Sequence, residues 1–186
     1  MGQALIIIDM QEDFFEEGSV LSQKRNILTE NINELSRVCR GKNIPVIWVR
    51  QEFHEDLHDG FLIMRKRKIP KTIRGTEGCK ILKELKRESK DIEVIKKRYS
   101  AFFRTELEEI LDSMNINKVI IAGVNTHACV RMTTIDAYQR DVEVVLAVDC
   151  IDSYDENFHK DSLRYLSGYI AGVLNNEEIM HRINED

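Results

Sequence analysis

The sequence predicts an α/β fold, a parallel sheet wrapped by helices. Apolar runs alternate with amphipathic segments from one end of the chain to the other, the arrangement that strand-helix-strand units require. Runs such as Ala4-Leu5-Ile6-Ile7-Ile8 and Val119-Ile120-Ile121-Ala122 read as buried strands. At 186 residues the chain suits one domain, residues 1–186, which can bury a full core without metal or disulfide support.

The elements follow in order. Strands are expected at Ala4–Ile8, Pro45–Val49, Ile92–Ile95, Val119–Ala122 and Val142–Val148, with a weaker one at Tyr169–Leu174. Amphipathic spacing predicts helices at Lys24–Arg40, Gly78–Arg87, Thr105–Met114, His127–Arg140 and Asn157–Leu166, and a short one at Asn176–Ile179. Gly41 and Asn115 stand where the first and third helices need C-caps. The stretch from Gln51 to Glu77 is the longest irregular segment, and loops of that length tend to be lids or contact surfaces. No repeat, low-complexity tract or Gly/Ser/Pro-rich linker marks a second domain.

A net charge of -5 with both signs mixed recommends neither nucleic acid nor an anionic membrane as partner. The run Arg65-Lys66-Arg67-Lys68 reads as solvated surface. The N-terminus lacks the pattern of a secretory signal, and no apolar stretch approaches the ~20 residues that cross a bilayer, so a cytoplasmic protein is expected. Cys39, Cys79, Cys129 and Cys150 are scattered without a Cys-x-x-Cys pair. That fits reduced thiols, three of them packing residues, rather than zinc or disulfides.

Ligands of an open parallel sheet bind at the carboxyl edge of its strands. The first polar residues there are Asp9, Arg50, Lys96, the turn holding Cys129, and Asp149. An acid, a lysine and a cysteine on one rim supply a base, a cation and a nucleophile. Free cysteine more often packs as a small hydrophobe. Cys129, however, follows a strand and Gly123 into the first turn of a helix with Thr126 as its N-cap, where orphan amides and the helix dipole favour a thiolate. Periodicity does not choose between Lys96 and Lys97. His127, two residues before Cys129, points elsewhere and is assigned a structural or substrate-edge role. A dinucleotide site is excluded, because Asp9-Met10-Gln11-Glu12-Asp13 replaces the glycine-rich phosphate turn.

Three motifs carry a family resemblance. Asp9-Met10-Gln11-Glu12-Asp13-Phe14, Lys96-Lys97-Arg98-Tyr99-Ser100-Ala101-Phe102-Phe103 and Gly123-Val124-Asn125-Thr126-His127-Ala128-Cys129-Val130, with Thr133, Asp136 and Ala137, resemble the first-strand, lysine and nucleophile motifs of the isochorismatase-like cysteine hydrolases. The resemblance implies a three-layer α/β/α sandwich around a six-stranded parallel sheet and an Asp9-Lys96-Cys129 triad, choosing Lys96 over Lys97. It also implies a cis peptide at Val124-Asn125 that aims the amides of Asn125 and Cys129 at one oxyanion, and a homo-oligomer, dimer or tetramer.

Within that family, isochorismate-cleaving members typically lack the cysteine, so Cys129 argues against their reaction. Nicotinamidases add a metal site, for which Glu52, His54 and His58 stand at comparable positions with the first carboxylate lengthened. The remaining reading is metal-free, cofactor-free hydrolysis of a small amide, carbamoyl or ureido compound. Phe14, Arg50, Tyr99 and the Gln51–Glu77 loop are expected to border the pocket; Arg50 either pairs with a substrate carboxylate or ties down Glu52 or Asp56. A thiol redox sensor or a non-catalytic scaffold is the reading from another class.

Overall fold

The computed structural model describes residues 2–185. Six strands form one sheet: β1 (Gly2–Ile8), β2 (Val46–Gln51), β3 (Ile92–Lys96), β4 (Ile116–Val124), β5 (Glu143–Asp152) and β6 (Gly172–Leu174). Their order is β3-β2-β1-β4-β5-β6, and every pairing is parallel. The chain builds outward from β1 to β3, then returns to the other side of β1 for β4. The resulting switch point lies between the carboxyl ends of β1 and β4, where an open parallel sheet offers a crevice.

Helices cover both faces, giving three α/β/α layers: α1 (Val20–Gly41), α2 (Leu62–Arg67), α3 (Leu107–Ser113), α4 (Arg131–Tyr138), α5 (Glu156–Leu166) and α6 (Asn176–Glu185). Alternation along β1 divides the core. Leu5 and Ile7 pack with Leu28, Ile32 and Leu35 of α1 and Ile179 and Ile183 of α6. Ala4, Ile6 and Ile8 face Leu107 and Leu111 of α3, Ala137 of α4 and Leu166 of α5. Each leucine or isoleucine so buried contributes ~1.5–3 kcal/mol. Among the described residues no helix is long and apolar enough to cross a membrane.

Several elements depart from expectation. The helix predicted over Gly78–Arg87 is only a single 3-10 turn, Glu77–Cys79, followed by irregular chain. Leu82 and Leu85 are buried at helical spacing, but the backbone bonds elsewhere: Leu82 N donates to Met10 O and Glu12 N to Lys80 O. Asn33 of α1 then accepts from Lys86 N and donates to Glu84 O. Those tertiary partners replace the helical ladder. The long loop contains the unpredicted α2, whose Met64 packs with Phe53, Leu57 and Ile73 in a small separate cluster, while Arg65–Lys68 lie exposed. Gly41 is the last helical residue of α1, and the left-handed position falls to Asn43 (φ 58°). Asn115 adopts φ 53° after α3, as a C-cap residue does. Asp149 lies within β5, where its carboxylate accepts from Asn176 N at 2.9 Å and fixes the start of α6.

The junction of β1 and β4 requires glycine at position 123. Its φ is +107°, and a Cβ there would stand 2.0 Å from Ile8 O and 2.6 Å from Ile8 N. Gly123→Ala should therefore cost at least ~2 kcal/mol of unfolding free energy. Gly41→Ala, with nothing within 4 Å of the added carbon, should be neutral or stabilising by up to ~1 kcal/mol. Urea titration of both variants is the measurement; equal midpoints would remove the close approach as a constraint.

Candidate active site

Asp9 closes β1 in a left-handed conformation (φ 53°) that a short polar residue tolerates, and is completely buried. Lys96, the last residue of β3, is also completely buried. The edge strand β3 lies two strands from β1, so the lysine reaches across β2 to get there. Its Nζ donates to Asp9 Oδ2 at 2.7 Å, to Cys129 Sγ at 3.3 Å and to Arg98 O at 3.2 Å. An ammonium has three protons to donate, and all three are used. Lys97 turns outward to Asp59 Oδ2 at 2.8 Å and to the Glu52 carbonyl.

Cys129 sits in a π-helical turn, Thr126–Val130, that follows β4 directly. Such turns are rare and recur at functional sites. The Val124-Asn125 peptide is cis. Asn125 O accepts from both Ala128 N and Val130 N, and Asn125 Oδ1 from Tyr154 N at 3.2 Å. The amide of Asn125, outside both strand and helix, donates to no backbone acceptor among the described residues. Thr126 is not the N-cap: its hydroxyl bonds His159 Nδ1 at 2.8 Å. His127 bonds Ser153 Oγ at 2.5 Å and packs against Tyr154 and Phe158. Both imidazoles are held below their ordinary pKa, chiefly by burial.

The electrostatics reverse one expectation. The helix-terminal position predicted a thiolate, but burial, then the Asp9 carboxylate, push the Cys129 thiol up to about 12, and Lys96 only partly opposes them. Lys96 is pulled down by burial yet raised overall, foremost by the charge of Asp9. The resting group is thus a thiol beside a carboxylate. Asp9 Oδ1 has no hydrogen-bond partner, which leaves a buried acceptor beside that thiol.

Sequence reasoning missed Gln51. Its Nε2 donates to Asp9 Oδ2 at 3.1 Å and to Cys129 Sγ at 3.4 Å. Gln51 stands in register with Lys96, on the strand between Lys96 and Asp9. Gln11 fixes it from behind, accepting from Gln51 N at 2.8 Å and donating to Gln51 O at 2.7 Å. The signal was the two-residue period of β2, which puts Arg50 and Gln51 on opposite faces. Arg50 takes the second of its two expected roles: it pairs with Glu52 at 2.8 Å, and also with Glu93 at 3.1 Å, beside a cavity of about 470 Å³ lined in part by Cys79. Phe14 packs on the core beside α1. Tyr99 is half exposed and stacks on Phe61 at 4.6 Å, and partial burial raises its phenol.

A buried thiol, carboxylate and ammonium thus meet at the switch point of the sheet. A family model described as the isochorismatase domain covers residues 3–178. The chain belongs to the isochorismatase family. A probable inactive nicotinamidase of Arabidopsis thaliana is 36% identical over 151 residues, 78% of this chain and 77% of that protein. Enterobactin synthase component B of Escherichia coli K12 is 30% identical over 177 residues; the match takes in 95% of this chain and spans only 62% of that protein. The structure titled pyrazinamidase of Pyrococcus horikoshii in complex with zinc superposes with a TM-score of 0.81 at 25% identity, covering 94% of this chain and 99% of that one.

For this isochorismatase-family chain, the three residues weighed from sequence as candidate metal ligands, Glu52, His54 and His58, do not come together as one set. The Glu52 carboxylate is held by Arg50 at 2.8 Å and Arg74 at 3.1 Å. His54 and His58 instead share Asp56 Oδ1, at 2.9 and 2.6 Å. Those three side chains offer ligand atoms within 4.8 Å of one another, all in exposed positions, but Glu52 is not among them.

The signs of the thiol's neighbours give a test. Asp9→Asn keeps the shape and removes the charge that opposes ionisation, leaving Lys96 unopposed. Alkylation of Cys129 by iodoacetamide at pH 8 should then accelerate by roughly 10-fold, the effect of one pKa unit on the thiolate fraction. Peptide mass spectrometry of timed samples reads the rate, and an unchanged or slower rate would detach Asp9 from the thiol's electrostatics.

Proposed function

We propose that this protein is a cysteine hydrolase that opens a C–N bond of a small amide, carbamoyl or ureido compound through a thioester. The observation that carries the reading is the shared contact of Lys96 Nζ with Asp9 Oδ2 at 2.7 Å and Cys129 Sγ at 3.3 Å. A cation, a base and a thiol in one buried cluster have a joint chemical use that none has alone.

Asp9 takes the proton of Cys129, and the thiolate adds to the substrate carbonyl. Lys96 stabilises the thiolate, offsetting the burial that keeps the resting group protonated. The amides of Asn125 and Cys129 hold the tetrahedral oxygen, and loss of one such donor costs ~3 kcal/mol of barrier. As the C–N bond breaks, Asp9 returns the proton to the leaving nitrogen, which departs as amine or ammonia. Asp9 then deprotonates water, hydroxide adds to the thioester, and the C–S bond breaks as the proton passes back to sulfur. Gln51 steers both partners by donating to carboxylate and sulfur together. The site lies at a depth where water is scarce, which strengthens each of these interactions.

The reading is supported by the pyrazinamidase of Pyrococcus horikoshii among the similar structures, whereas the 36% identical Arabidopsis relative is named a probable inactive nicotinamidase. The steps of this reading are carried by Asp9, Lys96, Cys129 and Gln51. A redox-sensor role suits Cys129 less, since oxidant-sensing thiols are exposed and acidic. We further propose that the protein works as a homo-oligomer in the cytoplasm; its four cysteines are free thiols, in keeping with a reducing compartment.

The decisive experiment is a turnover screen of primary amides, N-carbamoyl compounds and ureas, run with and without chelator, for the wild type and Cys129→Ala. Release of ammonia or amine by the wild type, unchanged by chelator and reduced at least ~10³-fold by C129A, is the expected result. Near-full turnover by C129A would end the proposal, and chelator-sensitive turnover would replace it with a metal-dependent amidase.

A further inference from the structure

We propose that Thr133 is the positioning residue that locks the nucleophile turn to the segment carrying the lysine, an inference that rests on the cysteine-hydrolase reading above. Thr133 lies in α4 and is completely buried. Its hydroxyl donates to Cys129 O at 2.7 Å and accepts from Ala101 N at 3.0 Å. A helical threonine commonly bonds the carbonyl four residues back. Here the remaining lone pair reaches a different part of the chain.

That second partner is what makes the contact a strut. Ala101 is completely buried and follows Lys96 by one short irregular segment, which also supplies Arg98 O to Lys96 Nζ at 3.2 Å and carries Tyr99. Apart from the Lys96–Cys129 contact itself, no other hydrogen bond among the described residues joins residues 97–103 to residues 125–130. On its opposite side the nucleophile turn is tethered to the start of α5 and the loop before it, through Thr126 to His159 and Asn125 to Tyr154 N. Thr133 supplies the tether on the lysine side. One hydroxyl therefore sets the spacing between the backbone that carries the sulfur and the backbone that carries the ammonium.

A valine of the same shape removes both bonds and leaves the buried Ala101 amide without its acceptor; a serine keeps both. The test compares Thr133→Val, Thr133→Ser and Leu111→Ala on a compound the wild type hydrolyses, each assayed well below its own melting temperature. Thr133→Ala replaces the valine variant if that one does not fold. Leu111 is a buried core residue of α3 outside the site, and its truncation controls for lost stability alone. A misplaced reacting group can cost about 100-fold, so T133V should lose about 10- to 100-fold in kcat with KM within about 2-fold of wild type. T133S should stay within about 3-fold in kcat, and L111A should lower the melting temperature with kcat unchanged. Wild-type kcat in T133V, equal impairment in T133S, or a matching kcat loss in L111A would each overturn the proposal. C129A on the same compound separates the two claims: full turnover there defeats the hydrolase reading, whereas an inert C129A beside a fully active T133V defeats only the strut.

Discussion

The ion pair between Lys96 and Asp9, buried on both sides and shared with a thiol, is the interaction on which the site depends. Removing two charges from water costs several kcal/mol each, and the attraction between them offsets that only when the remaining protons and lone pairs are also bonded. Here the ammonium is saturated by Asp9, Cys129 and Arg98 O, while Asp9 Oδ2 takes both Lys96 and Gln51. One oxygen, Asp9 Oδ1, is left over.

The fold makes this cluster from segments far apart in sequence by a single topological device. Because β4 returns to the opposite flank of β1, the ends of those strands meet at the switch point, and Gly123 lets them approach more closely than a side chain permits. The π-helical turn then carries the sulfur back over the end of β1. Gln51 fills the strand between, in register with Lys96, so three adjacent strands each place one polar group in the same small volume.

The sheet edge beyond the site is organised by a different set of charges. Arg74, Glu52, Arg50, Glu93 and Arg87 form a chain of alternating sign that ties the long loop, β2, β3 and the irregular segment before β3 together. This occupies the Glu52 carboxylate and pairs Arg50 with two acids beside its cavity. Partly exposed pairs contribute little stability individually, and a network of good geometry contributes more. Its clearest consequence is chemical: the loop is held by guanidinium groups.

The sequence by itself determined the layering and the segments that form buried strands, and it marked the polar groups at their ends, because those rest on local signals. Strands buried on both faces must be apolar throughout, and Asp9, Lys96 and Cys129 each sit where such a run or its following turn ends. Lys96 against Lys97 needed a motif, since neighbouring lysines obey the same periodicity. The tertiary structure alone decided what depends on partners distant in sequence. Leu82 and Leu85 repeat at helical spacing, yet Met10, Glu12 and Asn33 take the backbone bonds that a helix would have used. Gln51 joined the site through strand register, and Arg50 was settled between its two roles by the position of Glu52. The thiol's protonation followed from depth and from a carboxylate more than a hundred residues away, whose opposition to the helix terminus no local pattern encodes.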